Sequence, residues 1–138
     1  MATIETRYNN GKGLKVGETK VNSFNVKPEQ VTAVASPGTL ITLSDVKLYE
    51  WFAVAQDSAA TDIVLLPDGA DVGTVIVINA VDVFVVTVED ATETINTVVD
   101  GDVTTVAGDV LTFTKVNDTS WVATKVSSAG AATTVVPA

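Results

Sequence analysis

Apolar and polar positions recur along most of the chain with the period of two that marks β-strands. The densest stretch, Thr61 to Val88, reads as three strands and two turns. Ile63–Leu66 stops at Pro67, residues 68–73 supply turn formers, and the β-branched runs Thr74–Ile78 and Val83–Val88 flank Asn79-Ala80-Val81-Asp82 as an expected hairpin. A second hairpin is clearer. Val110–Val116 alternates, with Leu111 and Phe113 on one side and Thr112 and Thr114 on the other. Asn117-Asp118-Thr119-Ser120 turns the chain, and Trp121–Val126 returns.

Elsewhere the pattern is shorter. Ser36-Pro37-Gly38 is a turn signal after Val31–Ser36 and before an expected strand at Thr39–Leu43. Residues 45–56 carry Val46, Tyr49, Phe52, Ala53 and Gln56 at helical spacing, yet Tyr49, Trp51 and Phe52 favour strand. A strand closing back through Asp57–Ala60 is the expectation. Residues 1–30 are broken by Asn9-Asn10-Gly11, Gly17 and Pro28, and residues 127–138 are small and weakly patterned. The layout is an extended N-terminal arm over residues 1–30, a β domain over 31–126 and a C-terminal tail over 127–138. Roughly eight to nine strands separated by Gly, Pro, Asn and Asp predict an all-β fold, an antiparallel jelly-roll-like sandwich or barrel.

Composition narrows the chemistry. The 138 residues are 46% hydrophobic and 18% charged, enough apolar content for one packed domain. With no cysteine and no histidine there is no disulfide, no thiolate metal site and no Ser-His-Asp, Cys-His or histidine-zinc catalysis. The net charge of −9 argues against a nucleic-acid partner. It is unevenly spread: residues 1–30 hold five basic against three acidic side chains (+2), and the remainder three against fourteen (−11). A basic front on an acidic body suits an arm that docks on an acidic partner surface. The N-terminus lacks the pattern of a secretory signal, and the most apolar window, Val75–Val88, is broken by Asn79 and Asp82, so no membrane span is expected.

Candidate sites each have a plainer reading. Asp68, Asp71, Asp100, Asp102 and Asp109 could offer oxygens to Ca²⁺, but they match no calcium loop and sit where turns need aspartate. Glu89, Asp90 and Glu93 could form a glycosidase pair, although acids in one loop are usually solvated. Tyr8, Tyr49 and Trp51 could stack sugars, but aromatics within β runs are usually core. Gly11-Lys12-Gly13 is too short for a phosphate loop. No cofactor or enzymatic activity is expected.

One set of short motifs goes further. Leu66-Pro67 ends a strand, Gly73 precedes a β run to Asn79 and a second run reaches Val88. Thr94-Ile95-Asn96, Gly108-Asp109 before a strand, and Asn117 four residues ahead of Trp121 follow. From about Asp45 to Lys125 the chain resembles a β module of tailed-bacteriophage virion proteins, found in capsid decoration (cement) and fibre proteins. It departs from that pattern at Thr97, where a turn glycine is expected. The resemblance implies a structural, non-enzymatic protein that assembles as a homotrimer and binds the major capsid protein on the outer capsid surface, made in the host cytoplasm and carried on the virion. The arm residues expected at the capsid contact are Arg7, Tyr8, Lys12, Lys15, Lys20 and Phe24. The alternative within the same family is a receptor- or glycan-binding fibre module using exposed loops such as Glu89–Thr94.

Overall fold

A computed structural model describes residues 29–42, 50–56 and 62–138, with residues 29 and 50–56 described as backbone. Among the described residues twelve strands form and there is no helix. The arm residues 1–28, the segment 43–49 and the connection 57–61 lie outside the described residues. The strands are β1 (Glu29–Ala33), β2 (Thr39–Leu40), β3 (Glu50–Gln56), β4 (Ile63–Leu66), β5 (Val75–Ala80) and β6 (Val85–Val88). They continue as β7 (Thr94–Ile95), β8 (Val98–Val99), β9 (Val103–Thr104), β10 (Val110–Asn117), β11 (Ser120–Val126) and β12 (Ala132–Thr133). The all-β expectation is met, and the strand preferred over a helix in residues 45–56 is observed at Glu50–Gln56.

The first six strands alternate between two sheets. One has the order β1-β3-β5-β10-β11-β7-β8, with β12 also pairing β11, and the other has the order β2-β4-β6-β9. Within them β1, β3 and β5 are mutually parallel, and so are β2, β4 and β6. Glu29 lies beside Phe52, Thr39 beside Val64, Glu50 beside Ile76 and Ile63 beside Val85, so one circuit of the winding takes roughly 22 to 26 residues. Parallel neighbours need a long crossover, commonly a helix. Here the crossover is a strand of the opposite sheet.

The expected antiparallel arrangement is therefore corrected: the sheets are mixed, and neither closes into a barrel. So is the expected hairpin over residues 74–88. β5 has β3 on one side and β10 on the other, which leaves no edge for β6. At the end of β5 the Ala80 N–H donates to the Asp109 carbonyl (2.8 Å), and the Ala80 carbonyl accepts from Gly108 N–H (2.8 Å). Residues 81–84 then cross to the second sheet, where Phe84 N–H donates to Thr105 Oγ1 (3.0 Å) and the Phe84 side chain is buried. The burial of Ile76, Val77 and Ile78 in succession fits a strand covered on both faces. β3 and β4, expected to turn back on one another, also lie in different sheets.

The β10–β11 hairpin forms as its alternation predicts, with an irregularity between Lys115 and Asn117. Leu111 and Phe113 are fully buried, whereas Thr112 and Thr114 are half-buried on the other face. The core fills the space between the sheets. Ile76, Ile78, Leu111, Phe113 and Trp121 meet Val64, Leu66, Phe84, Val86 and Val88, and each such side chain removed from water contributes about 1.5–3 kcal/mol. The C-terminal residues lie against this body: β12 pairs β11, Val135 joins the core, and Asp102 and Ala138 exchange backbone hydrogen bonds of 3.1 and 3.0 Å.

Thr97 sits in a demanding place. β7 and β8 pair antiparallel around the two-residue turn Asn96-Thr97, whose φ angles are 47° and 75°. Two successive positive angles define the tight hairpin turn that favours Asn-Gly. Asn96 suits it, and its side chain carries on the strand ladder. Oδ1 accepts from Ala123 N–H (2.8 Å), while Nδ2 donates to the Ala123 carbonyl (3.1 Å) and the Val135 carbonyl (3.3 Å). A β-branched residue in the left-handed region costs about 1–2 kcal/mol. Thr97→Gly is therefore expected to raise stability by about 1 kcal/mol, the rest being lost to glycine's greater unfolded entropy. Urea denaturation checks this, and an unchanged or lower midpoint would contradict the turn assignment.

Candidate functional site

The strands β2, β4 and β6 run parallel and end together, so the three segments leaving them meet at one end of the smaller sheet. The ladder extends one residue past two of the strands. Ile41 N–H donates to the Leu65 carbonyl (3.0 Å) and Glu89 N–H to the Leu66 carbonyl (2.9 Å). Pro67 has no N–H and ends β4. Between these exits lies an open cleft of about 300 Å³, lined by Leu40, Ile41, Thr42, Pro67, Asp68, Gly69 and Glu89. Ile41 and Pro67 are buried, Leu40 is 41% exposed, and Asp68 and Glu89 reach solvent. The Asp68 N–H donates to Glu89 Oε2 (3.2 Å), which joins the two acidic segments across the cleft.

The acidic loop that follows divides into parts with different fates. Asp90 closes a turn, its Oδ1 accepting from Thr92 N–H (2.8 Å) and Thr92 Oγ1 (2.8 Å). These two bonds, the backbone one foremost, hold the Asp90 carboxyl below the usual aspartate range. Glu93 is buried, contrary to the solvated reading of this loop. Its Oε1 pairs with Lys115 Nζ and its Oε2 accepts from Trp121 Nε1 (2.9 Å). Lys115 Nζ also lies 5.0 Å from the centre of the Trp121 ring, a cation–π distance. Lys115 and Trp121 face one another across the hairpin, and both point inward with Leu111 and Phe113.

Lys115 was legible by parity alone, since it continues the inward series of Leu111 and Phe113. Its partner was not, because Glu93 lies 22 residues away in a loop.

The other candidates are dispersed. Asp109 accepts from Val106 N–H (3.0 Å) and pairs with Lys125 (3.3 Å). The Asp71 carbonyl accepts from Thr74 N–H (3.0 Å). Asp100 takes a positive φ of 51°, and Asp102 pairs its backbone with the C-terminus. Among the described residues no three acidic side chains gather to hold a metal ion. Arg7, Tyr8, Lys12, Lys15, Lys20 and Phe24 lie outside the described residues, as do Gly11, Gly13 and Tyr49. Trp51 lies on β3, at the register position of Val77. No family model matches the chain, and no curated protein is significantly similar to it.

The buried pair makes a sharp mutational expectation. Removing one partner of a buried ion pair costs about 3–5 kcal/mol, because the other charge stays desolvated. Lys115→Met is expected to lose about that much, and Lys115→Met with Glu93→Gln to recover part of it. Chemical denaturation of the two variants would show this, and equal loss in both would mean that the charges do not act as a unit.

Proposed function

We propose that this chain is a structural, non-enzymatic protein of a tailed-phage virion: a capsid decoration protein that binds the major capsid protein from outside as a homotrimer and stabilises the shell. The observation that carries the reading is the position of β1 together with the charge asymmetry of the chain. Residue 29 begins β1, which among the described residues is an edge strand of the larger sheet, and the sequence is +2 over residues 1–30 and −11 over the remainder. On this reading the body serves as a platform, and the residues before β1 can reach over a neighbouring surface by up to about 3.3 Å per residue.

The positions that carry the family resemblance also support it, since each has a fold-determining role. Leu66-Pro67 ends β4, Gly73 and Gly108 take φ angles of 94° and 90°, Asn96 supplies the hairpin turn and Trp121 is buried. Trimeric assembly adds avidity, because three weak arms engage one surface together. A second reading, the receptor- or glycan-binding fibre module, is favoured by the place of Glu89 in an open cleft.

Two variants test the arm. Deleting residues 1–28, or reversing Arg7, Lys12, Lys15 and Lys20 to Glu in the full chain, is expected to weaken cosedimentation with empty capsid shells at least about tenfold, as loss of several charge contacts implies. Light scattering is expected to report a trimer for the intact protein. Undiminished capsid binding by both variants would overturn the arm model, and a monomer would overturn the trimeric one.

A further inference from the structure

We infer that the outward face of the β10–β11 hairpin is the surface through which copies of this chain associate. The inference deepens the homotrimer proposed above, and rests on it, by assigning the interface. Leu111, Phe113 and Lys115 point inward with Trp121 and Ala123, so every second residue from Val110 to Thr114 and from Ser120 to Val126 faces outward. All of these are valine, threonine or serine. The register sets Thr114 beside Val122, Thr112 beside Thr124 and Val110 beside Val126. The face continues across β7 to β8, since Ser120 lies beside Thr94 and Thr94 beside Val99. Val122, Val126 and Val99 are 42%, 43% and 62% exposed.

A solvated face of an antiparallel pair ordinarily turns polar residues to water. This one carries no ionisable side chain at those positions, although the chain has 8 basic and 17 acidic residues. Depletion of charge, more than bulk apolarity, marks the centre of an interface. The contact is made by side chains and not by adding a strand. β11 is paired by β10 along one edge and by β7 and β12 along the other, with Asn96 bonded to Ala123 between them, and β10 has β5 on its far side. Sheet face therefore packs on sheet face.

Charge selects the occupant. Two copies of net charge −9 repel one another, and the cost is least where they meet through surfaces without charge. The chain's own residues 1–30 hold five basic side chains, and the face has no carboxylate to receive them. Nucleic acid and anionic lipid would need cations that the face lacks. A second copy brings the same valines and threonines, so apolar surface is covered without trapping an unpaired charge, and hydroxyls pair with hydroxyls across the contact. Rotational symmetry turns equivalent faces toward a common axis, which in a trimer brings three of them together.

Light scattering over a concentration series of the full-length protein tests the assignment. Val122→Lys and Thr124→Lys each set like charges against one another at the contact and are expected to weaken association at least about tenfold. Thr124→Val is expected to leave it intact. So is Val106→Lys, at a residue 53% exposed between β9 and β10 and outside the face. Hydroxyl-radical footprinting reads the same face in the unaltered protein. The Val122–Val126 stretch is expected to be protected where copies associate and to react on dilution, whereas Val106 reacts at both concentrations.

An assembly unchanged by both lysine variants would overturn the interface and leave the trimer standing. Equal reactivity of Val122–Val126 in associated and dissociated protein would overturn it too, because the face would then be either free in both states or covered by the chain's own residues. A monomer at every concentration would instead overturn the trimeric reading, and this inference with it.

Discussion

Strand β5 has no free edge, and the architecture follows from that. With β3 hydrogen-bonded on one side and β10 on the other, the chain leaving Ala80 has no place to return in the same sheet. It crosses the interior thickness, which for packed sheets is about 10 Å, and starts the second sheet at Phe84 and Val85. The same holds one circuit earlier for β3, flanked by β1 and β5. Repeated crossing makes neighbours parallel, stacks β2, β4 and β6 with their ends aligned, and so produces the cleft.

The antiparallel half fastens this winding. β10 pairs β5, β11 pairs β10, and the chain between β6 and β10 is gathered in by polar side chains as much as by apolar ones. Thr105 Oγ1 accepts from Phe84 N–H and donates within 3.1 Å of the Asp82 and Phe84 carbonyls. Asn96 stands in for a strand residue beside Ala123, and Glu93 links the loop before β7 to both strands of the hairpin. A buried pair of opposite charges is weak evidence for net stability, but each partner is costly to lose alone. The Glu93–Lys115–Trp121 group therefore makes the loop after the cleft hold one position relative to the core.

That arrangement restricts the loop. Glu89 lies on the cleft, Asp90 in a self-closed turn and Glu93 in the core, within five residues of chain. A loop pinned at its far end by an ion pair presents its near end with little freedom.

Much of this was written in the residues themselves. Alternation in Val110–Val116 and Trp121–Val126 determined the hairpin and its inward face, because a half-buried strand shows its period directly. Turn chemistry placed Pro67, Gly73, Gly108 and Asn117 correctly. The absence of cysteine and histidine bounded the chemistry with no structure needed. What the chain could not declare was which strand neighbours which. Thr74–Ile78 and Val83–Val88 have the local signature of a hairpin, and only the occupied edges of β5 forbid it. Glu93 looks like its solvated neighbours until β10 and β11 bring Lys115 and Trp121 over it. Local periodicity reports one strand's own faces; partners 22 or more residues away along the chain are decided by packing alone.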